Sequence, residues 1–304
     1  MKKAIVKTFT LIFALGIISA SLIGCSAANN KTTDSQKTVG SDSTSSSDAE
    51  VDTDTNIYYT GDPVTLKALA DVTPHAEILA FIEPVLEAQG ITIDIVSTAA
   101  DATWNEKTAN GEVDFNFDQH VPYLESYNEI NGTDLVSVGA VHVEPITAYS
   151  DKYDTLADVP DDASIVIPND ATNEYRALKI LEEAGFITLD PAVDDSLQAD
   201  IGDITEYIKP VTITEIDSIQ IIGLAADFDI FITNTNKALE AGLDTSKYLF
   251  RESADSPYAN VIVTAADRAT DPAILAVVAA LQSDETRAFI EEHYNGAVVP
   301  ATLD

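Results

Sequence analysis

Apolar positions recur along this chain at two spacings, one of strands and one of helices, and the two alternate from about residue 62 onward. Val64 to Ala70 reads as a strand, and Thr73-Pro74-His75 after it as a helix start. Ile78, Leu79, Ile82, Val85 and Leu86 then mark one face of a helix. Pro84 is expected to kink that helix and Gly90 to end it. Ile91 to Val96 is the next strand. Further on, Ser164 to Ile167 is a short strand leading into Pro168 to Asn173, and a helix follows with Leu178, Leu181 and Ala184 inward and Gly185 behind it. Asp229 to Thr233 and Ala259 to Thr264 read as later strands, and Ile274, Val277, Val278, Leu281, Phe289 and Ile290 as helical. Such alternation predicts α/β architecture with mainly parallel sheets. About 240 residues are many for one sheet and suit two lobes. In such folds a ligand sits at the carboxyl ends of strands, often in a cleft.

The chain before Asp62 follows another pattern. Lys2, Lys3 and Lys7 precede an uncharged apolar run from Phe9 to Ile23. That run falls short of the roughly 20 residues a membrane helix needs, so residues 1–24 read as a signal peptide. Leu22-Ile23-Gly24-Cys25 resembles a bacterial lipobox, in which Cys25 is acylated and becomes the first mature residue. Cys25 is the only cysteine, so no disulfide can form within the chain. From Ser26 to about Asp54, Ser, Thr, Asp and Lys dominate. Such a segment buries too little apolar surface to offset chain entropy, and residues 25–61 are expected to be a tether.

Charge changes the picture in one respect. The 304 residues carry 51 acids, 16 Lys and Arg, and a formal charge of −35; removing Lys2, Lys3 and Lys7 with the signal peptide leaves −38. That field repels phosphate backbones, and no basic stripe offsets it, which argues against nucleic acid as a partner. It also disfavours adhesion to an anionic membrane. The sequence has no GxSxG elbow, no P-loop, no GxGxxG after a strand and no HExxH helix. Acid pairs such as Asp161-Asp162 fall in expected loops and single out no catalytic pair. The chain reads as a non-enzyme with no cofactor.

Eight strings then come into register. Thr73-Pro74-His75-Ala76-Glu77-Ile78-Leu79 resembles a segment of the MetQ/NlpA lipoproteins. The likeness continues in the same order through Asn105-Glu106, Gly111 to Asp114, Gln119 to Glu125, Val141 to Pro145, Ile167 to Leu178, Ser256 to Asn260 and Tyr294 to Pro300. The resemblance implies the methionine-binding component of an ABC importer, with a two-lobed, type II periplasmic-binding-protein fold that closes over its ligand. One lobe would comprise residues 62–145 plus 256–304, the other 146–255. The implied partners are a small amino-acid ligand, a permease with its ATPase, and the extracytoplasmic face of the membrane through the N-terminal lipid.

Candidate ligand residues follow. Asp170 to Asn173 opens a helix whose free N–H groups and dipole favour an anion. Arg176 stands one turn in, and its planar fork can hold a carboxylate. It could equally pair with Asp170 or Glu174 on the helix surface. The resemblance brings Asn173 to the ligand, where it could also cap the helix, and lets Asn234 accept from an ammonium group or serve as a turn residue. His120 and His142 match family histidines of the cleft. With His75 they raise the alternative of a three-histidine zinc site, although they sit in separate motifs. Two positions depart from the family: Asp118 and Asp101 stand where cleft aromatics are usual. Either Phe117 or Trp104 supplies the missing ring, or the pocket takes a more polar or cationic side chain, or a short peptide.

Overall fold

The computed structural model describes residues 59–98, 103–254 and 257–302. The signal peptide, Cys25, the tether up to Tyr58 and Asp101 lie outside the described residues, whereas Tyr59, expected in the tether, packs against the first core and donates its N–H to Gln89 Oε1 at 3.2 Å. The strands are β1 (Val64–Ala70), β2 (Ile91–Ser97), β3 (Phe115–His120), β4 (Val136–Val143), β5 (Thr147–Tyr149), β6 (Ser164–Pro168), β7 (Ile187–Leu189), β8 (Ile204–Tyr207), β9 (Thr212–Ile216), β10 (Ile230–Thr233), β11 (Phe250–Arg251), β12 (Ala259–Thr264) and β13 (Val299–Pro300). The helices are α1 (Glu77–Glu87), α2 (Trp104–Ala109), α3 (Val121–Asn131), α4 (Ala171–Glu183), α5 (Val193–Ser196), α6 (Ser218–Leu224), α7 (Thr235–Glu240), α8 (Pro272–Leu281) and α9 (Asp284–Tyr294).

Two sheets organise the α/β fold into two lobes. One has the order β13-β4-β12-β3-β1-β2, the other β11-β5-β10-β6-β9, and β7 and β8 form a separate ribbon. The expectation of mainly parallel sheets needs correction. In the first sheet β1 pairs in parallel with β2 and β3, whereas β12 runs antiparallel to both β3 and β4, and β13 antiparallel to β4. In the second, β6 is parallel to β9 and β10, and β5 is antiparallel to β10 and β11. The direction in which a returning strand such as β12 crosses into a sheet sets its sense, and hydrophobic periodicity does not encode that direction.

Each sheet is buried by amphipathic helices. Ile78, Leu79, Ile82 and Leu86 of α1 pack with Ile274, Val277 and Leu281 of α8 over Phe115 and Phe117 of β3. Leu178 and Leu181 of α4 cover Ile165, Ile167, Ile230 and Ile232 of the second sheet, and Ile221 of α6 covers Val166 and Phe231 on its other face. α1 begins at Glu77, later than its start signal suggests, because Val72–Ala76 forms a separate turn with Thr73 extended and the Thr73-Pro74 bond cis. α1 continues through Pro84 to Glu87, and Gly90 reverses the chain with φ +82°.

The chain passes between the sheets twice, after Val143 and before Thr147, then after Arg251 and before Ala259. These passages carry Glu144 and Glu252, which matter below. No helix among the described residues is long and apolar enough to cross a membrane.

Candidate functional site

Where the two sheets meet, residues from both line a cavity of about 270 Å³. β3 and α3 contribute Asp118, Gln119, His120 and Tyr123; α4 contributes Asn173 and Arg176; the start of α7 contributes Asn234, Asn236 and Lys237. The end of β3 is held by buried amides. Gln119 Nε2 donates to Asn105 Oδ1 at 2.6 Å and to Asn116 Oδ1 at 2.7 Å, and Asn105 Nδ2 returns a bond to Gln119 Oε1 at 2.9 Å.

His120 ends β3 and caps α3, its Nδ1 accepting from the Tyr123 N–H at 3.2 Å. That bond leaves the proton on Nε2, which faces Asn173 Oδ1 at 3.3 Å. Burial first, then the Arg176 charge, lowers the His120 pKa to about 3, so the ring is neutral.

Asn173 is the hub of the site. Its Oδ1 accepts from His120, from Arg176 Nη1 at 3.2 Å and from Asn234 Nδ2 at 2.9 Å. Its Nδ2 donates to both oxygens of Asp170 at 3.0 Å, which fixes the amide orientation. Three of the residues singled out from sequence therefore converge on the side-chain oxygen of a fourth. Asn234 keeps its Oδ1 without a partner among the described residues.

The anion-binding features expected at α4 are already occupied. Asp170, the N-cap, accepts from the Asn173 N–H at 3.0 Å. Arg176 presents Nε and Nη2 to Glu252 at 3.2 and 2.6 Å, and Nη2 also donates to Glu144 O at 2.7 Å. Its guanidinium lies 4.5 Å from the Tyr258 ring centroid. Arg176 thus pairs neither with Asp170 nor with Glu174.

His142 and Phe117 do not line the cavity. Phe117 is fully buried, edge-on to His75 at 4.7 Å and to His142 at 5.3 Å. His142 Nε2 meets Glu144 Oε1 at 2.8 Å, and His75 Nε2 reaches the same oxygen at 3.3 Å. Glu144 Oε2 accepts from the Asn236 N–H at 2.7 Å, so this carboxylate ties the buried histidines to α7. Burial pushes Glu144 up, and pushes His75 down to about 4 and His142 to about 3.

His75, His142 and Glu144 also form a candidate metal cluster, with His120 outside it. Metal-bound histidines donate their second ring N–H to a partner, yet His75 Nδ1 and His142 Nδ1 are buried without one. The residues fit a hydrogen-bonded pair on a carboxylate better than a metal.

Asp118 lies on the cavity wall, whereas Trp104 is buried with Leu69 and Val113. Neither ring offered as a replacement aromatic reaches the wall; Tyr123 does. Burial, then the charges of Asp170, Asp118 and Asp217, pushes the Tyr123 hydroxyl up to about 12. The cavity cation Lys237 pairs with Asp71 at 2.9 Å. Burial works against its charge, but the Asp71 and Glu240 carboxylates together outweigh it and raise the Lys237 pKa. Lys237, Asn236, Asp217 and Glu252 were not singled out from sequence. Lys237, Asp217 and Glu252 occupy no recognised string, and the Asp71 partner of Lys237 and the Arg176 partner of Glu252 lie 166 and 76 residues away.

The NlpA lipoprotein family model matches residues 68–302. The methionine-binding lipoprotein MetQ of Bacillus subtilis is 35% identical over 240 residues, 77% of this chain and 86% of that protein. A nutrient-binding protein from Burkholderia cenocepacia, solved bound to methionine, superposes with a TM-score of 0.74 at 33% identity, covering 78% of this chain and all of that one. A periplasmic substrate-binding protein of an ABC transporter from Coxiella burnetii does so with a TM-score of 0.73 at 33% identity, covering 78% and 100%. With more than two thirds of its length and nearly all of its described fold matched, the chain belongs to the NlpA lipoprotein family.

Proposed function

We propose that this protein is the extracytoplasmic substrate-binding component of an ABC importer, that it holds a single free amino acid in the cavity between its sheets, and that L-methionine is the first candidate. It binds its solute and performs no chemistry on it. The observation that carries the reading is the cavity itself, built by side chains of both sheets around Asn173. Its volume of about 270 Å³ lies below the roughly 300–1,000 Å³ of sites for drug-sized ligands and suits a small solute. The methionine-binding relatives supply the candidate. The free Oδ1 of Asn234 accepts the ammonium group, and Arg176 Nη1 donates to the carboxylate.

The lobes comprise residues 62–145 with 256–304, and residues 146–255, joined by the two passages. A bound solute touches both and so stabilises the closed arrangement, which the permease and its ATPase then recognise. Cys25 carries the lipid, and residues 26–61 tether the fold to the membrane. Asp118 on the wall favours a more polar side chain than methionine as the second reading.

The test is a thermal-shift series on the chain from Ser26 onward, unfolded and refolded to remove carried-over solute. A ligand at 100 times its Kd adds about 2.7 kcal/mol of stability. A largest shift with methionine supports the first reading, and one with a polar or cationic amino acid the second. No shift with any amino acid or short peptide defeats both.

A further inference from the structure

Both anion-binding features of α4 are filled by carboxylates of the protein itself. Asp170 takes the Asn173 N–H and Nδ2 at the N-terminus of α4. Glu252 takes Nε and Nη2 of Arg176, the two-nitrogen face that matches a carboxylate in shape. A guanidinium has five N–H groups. Glu252 takes two, Glu144 O one and Asn173 Oδ1 one, which leaves a solute a single N–H on Nη1. The pair is rigid: Arg176 is almost wholly buried beneath Tyr258, and Glu252 also accepts from the Ile146 N–H at 3.4 Å. Lys237, the other cation of the wall, is paired with Asp71. Asp118, Asp170 and Asp217 meanwhile line the same cavity as Tyr123.

Resting on the amino-acid reading above, we infer that Glu252 is a specificity-determining residue that competes with the solute's carboxylate for Arg176, so that the cavity selects solutes by their ammonium group. The class this admits is a primary ammonium compound with its carboxyl either free or blocked: an amino acid, its amide, or the amino end of a short peptide. Glu252 comes from the second passage between the sheets, so selectivity and the closing of the lobes share one ion pair.

The experiment compares the Kd of L-methionine with that of L-methioninamide, by calorimetry, on the refolded chain from Ser26 onward. Both probes carry the same side chain and ammonium, so their ratio reports the carboxylate alone. The wild type is expected to bind both, with the acid favoured by less than about tenfold. In Glu252→Gln the preference for the acid should grow by a further factor of about ten, the worth of one charge-assisted hydrogen bond. Glu252→Asp, which keeps the charge, should stay near the wild-type ratio. An unchanged or smaller ratio in Glu252→Gln overturns the inference, and so does an Asp variant that behaves like Gln. If the wild type binds neither probe while another amino acid stabilises it, the same comparison is made with that amino acid and its amide. If no amino acid binds at all, the underlying reading falls, a failure visible without any variant.

Discussion

Asn173 accepts three hydrogen bonds on its Oδ1, and its Nδ2 donates to both oxygens of Asp170, so both polar atoms of its side chain engage other site residues. Truncating it strands buried donors on His120 and Arg176, each costing about 1–3 kcal/mol when unsatisfied. Asn173→Ala should therefore lower the urea-unfolding free energy by about 2–6 kcal/mol and weaken amino-acid binding by more than about tenfold. Full affinity in the variant would show that the hub is dispensable. Asp118 invites the opposite change. An apolar thioether gains from an aromatic contact, and a carboxylate beside it costs desolvation. Asp118→Phe should tighten methionine binding, measured as a lower Kd, if the wall excludes that side chain now; an unchanged Kd would make Asp118 a bystander. Arg176, Asn173, His120 and Asn234 were legible because each sits in a continuous string. Glu252 was not, since its partner lies 76 residues away and no local pattern marks it. Phe117 and Asp118 are neighbours on β3, and successive strand residues point to opposite faces. The sequence says that they part company, but not which of them faces the cavity.

α4 shows how an element is both legible and incomplete. Its inner face of Leu178 and Leu181 and its start after Asp170 follow from spacing and capping chemistry. What spacing could not reveal is that the cap also anchors the ligand hub. Asp170→Ala should cost about 1 kcal/mol, the usual worth of an N-cap, read as a shift in the urea midpoint at constant slope. Because Asn173 loses its anchor, affinity should fall as well; an unchanged Kd would separate the cap from the site. β1, β2, β6, β10 and β12 are legible from periodicity to within a residue of their ends, while the other described strands and all of the pairing are not. β4, β12 and β13 run antiparallel to their neighbours, and nothing in a strand's own residues records the direction of the strand beside it. The same blindness hid the buried amide cluster of Asn105, Asn116 and Gln119, whose members come from α2 and β3.

Across the whole molecule, two sets of buried groups pull stability in opposite directions with pH. Burial holds His75 near 4, and His120 and His142 near 3, below the usual 6.5. On acidification through that interval the unfolded chain takes up protons that the folded chain refuses, so folding weakens as pH falls. Burial, with Glu215 adding to it, raises Glu174 from 4.5 to about 9, and burial with Asp71 raises Glu240 to about 7. Above 4.5 the unfolded chain releases protons that these folded groups keep, so folding weakens as pH rises, through 7 for Glu240 and through 9 for Glu174. Between 4.5 and 6.5 three histidines oppose two acids, so stability should still rise gently with pH. Above 6.5 the histidines no longer contribute and the acids alone set the slope. The unfolding free energy read from urea curves should therefore decline from pH 7 to pH 9, mainly through Glu174 and by up to about 1.4 kcal/mol per pH unit. Glu174→Gln keeps a neutral donor beside Glu215 without a proton to lose, so it should flatten that decline and leave the variant more stable than wild type at pH 9. Equal losses at every pH would mean that Glu174 is ionised in the folded protein.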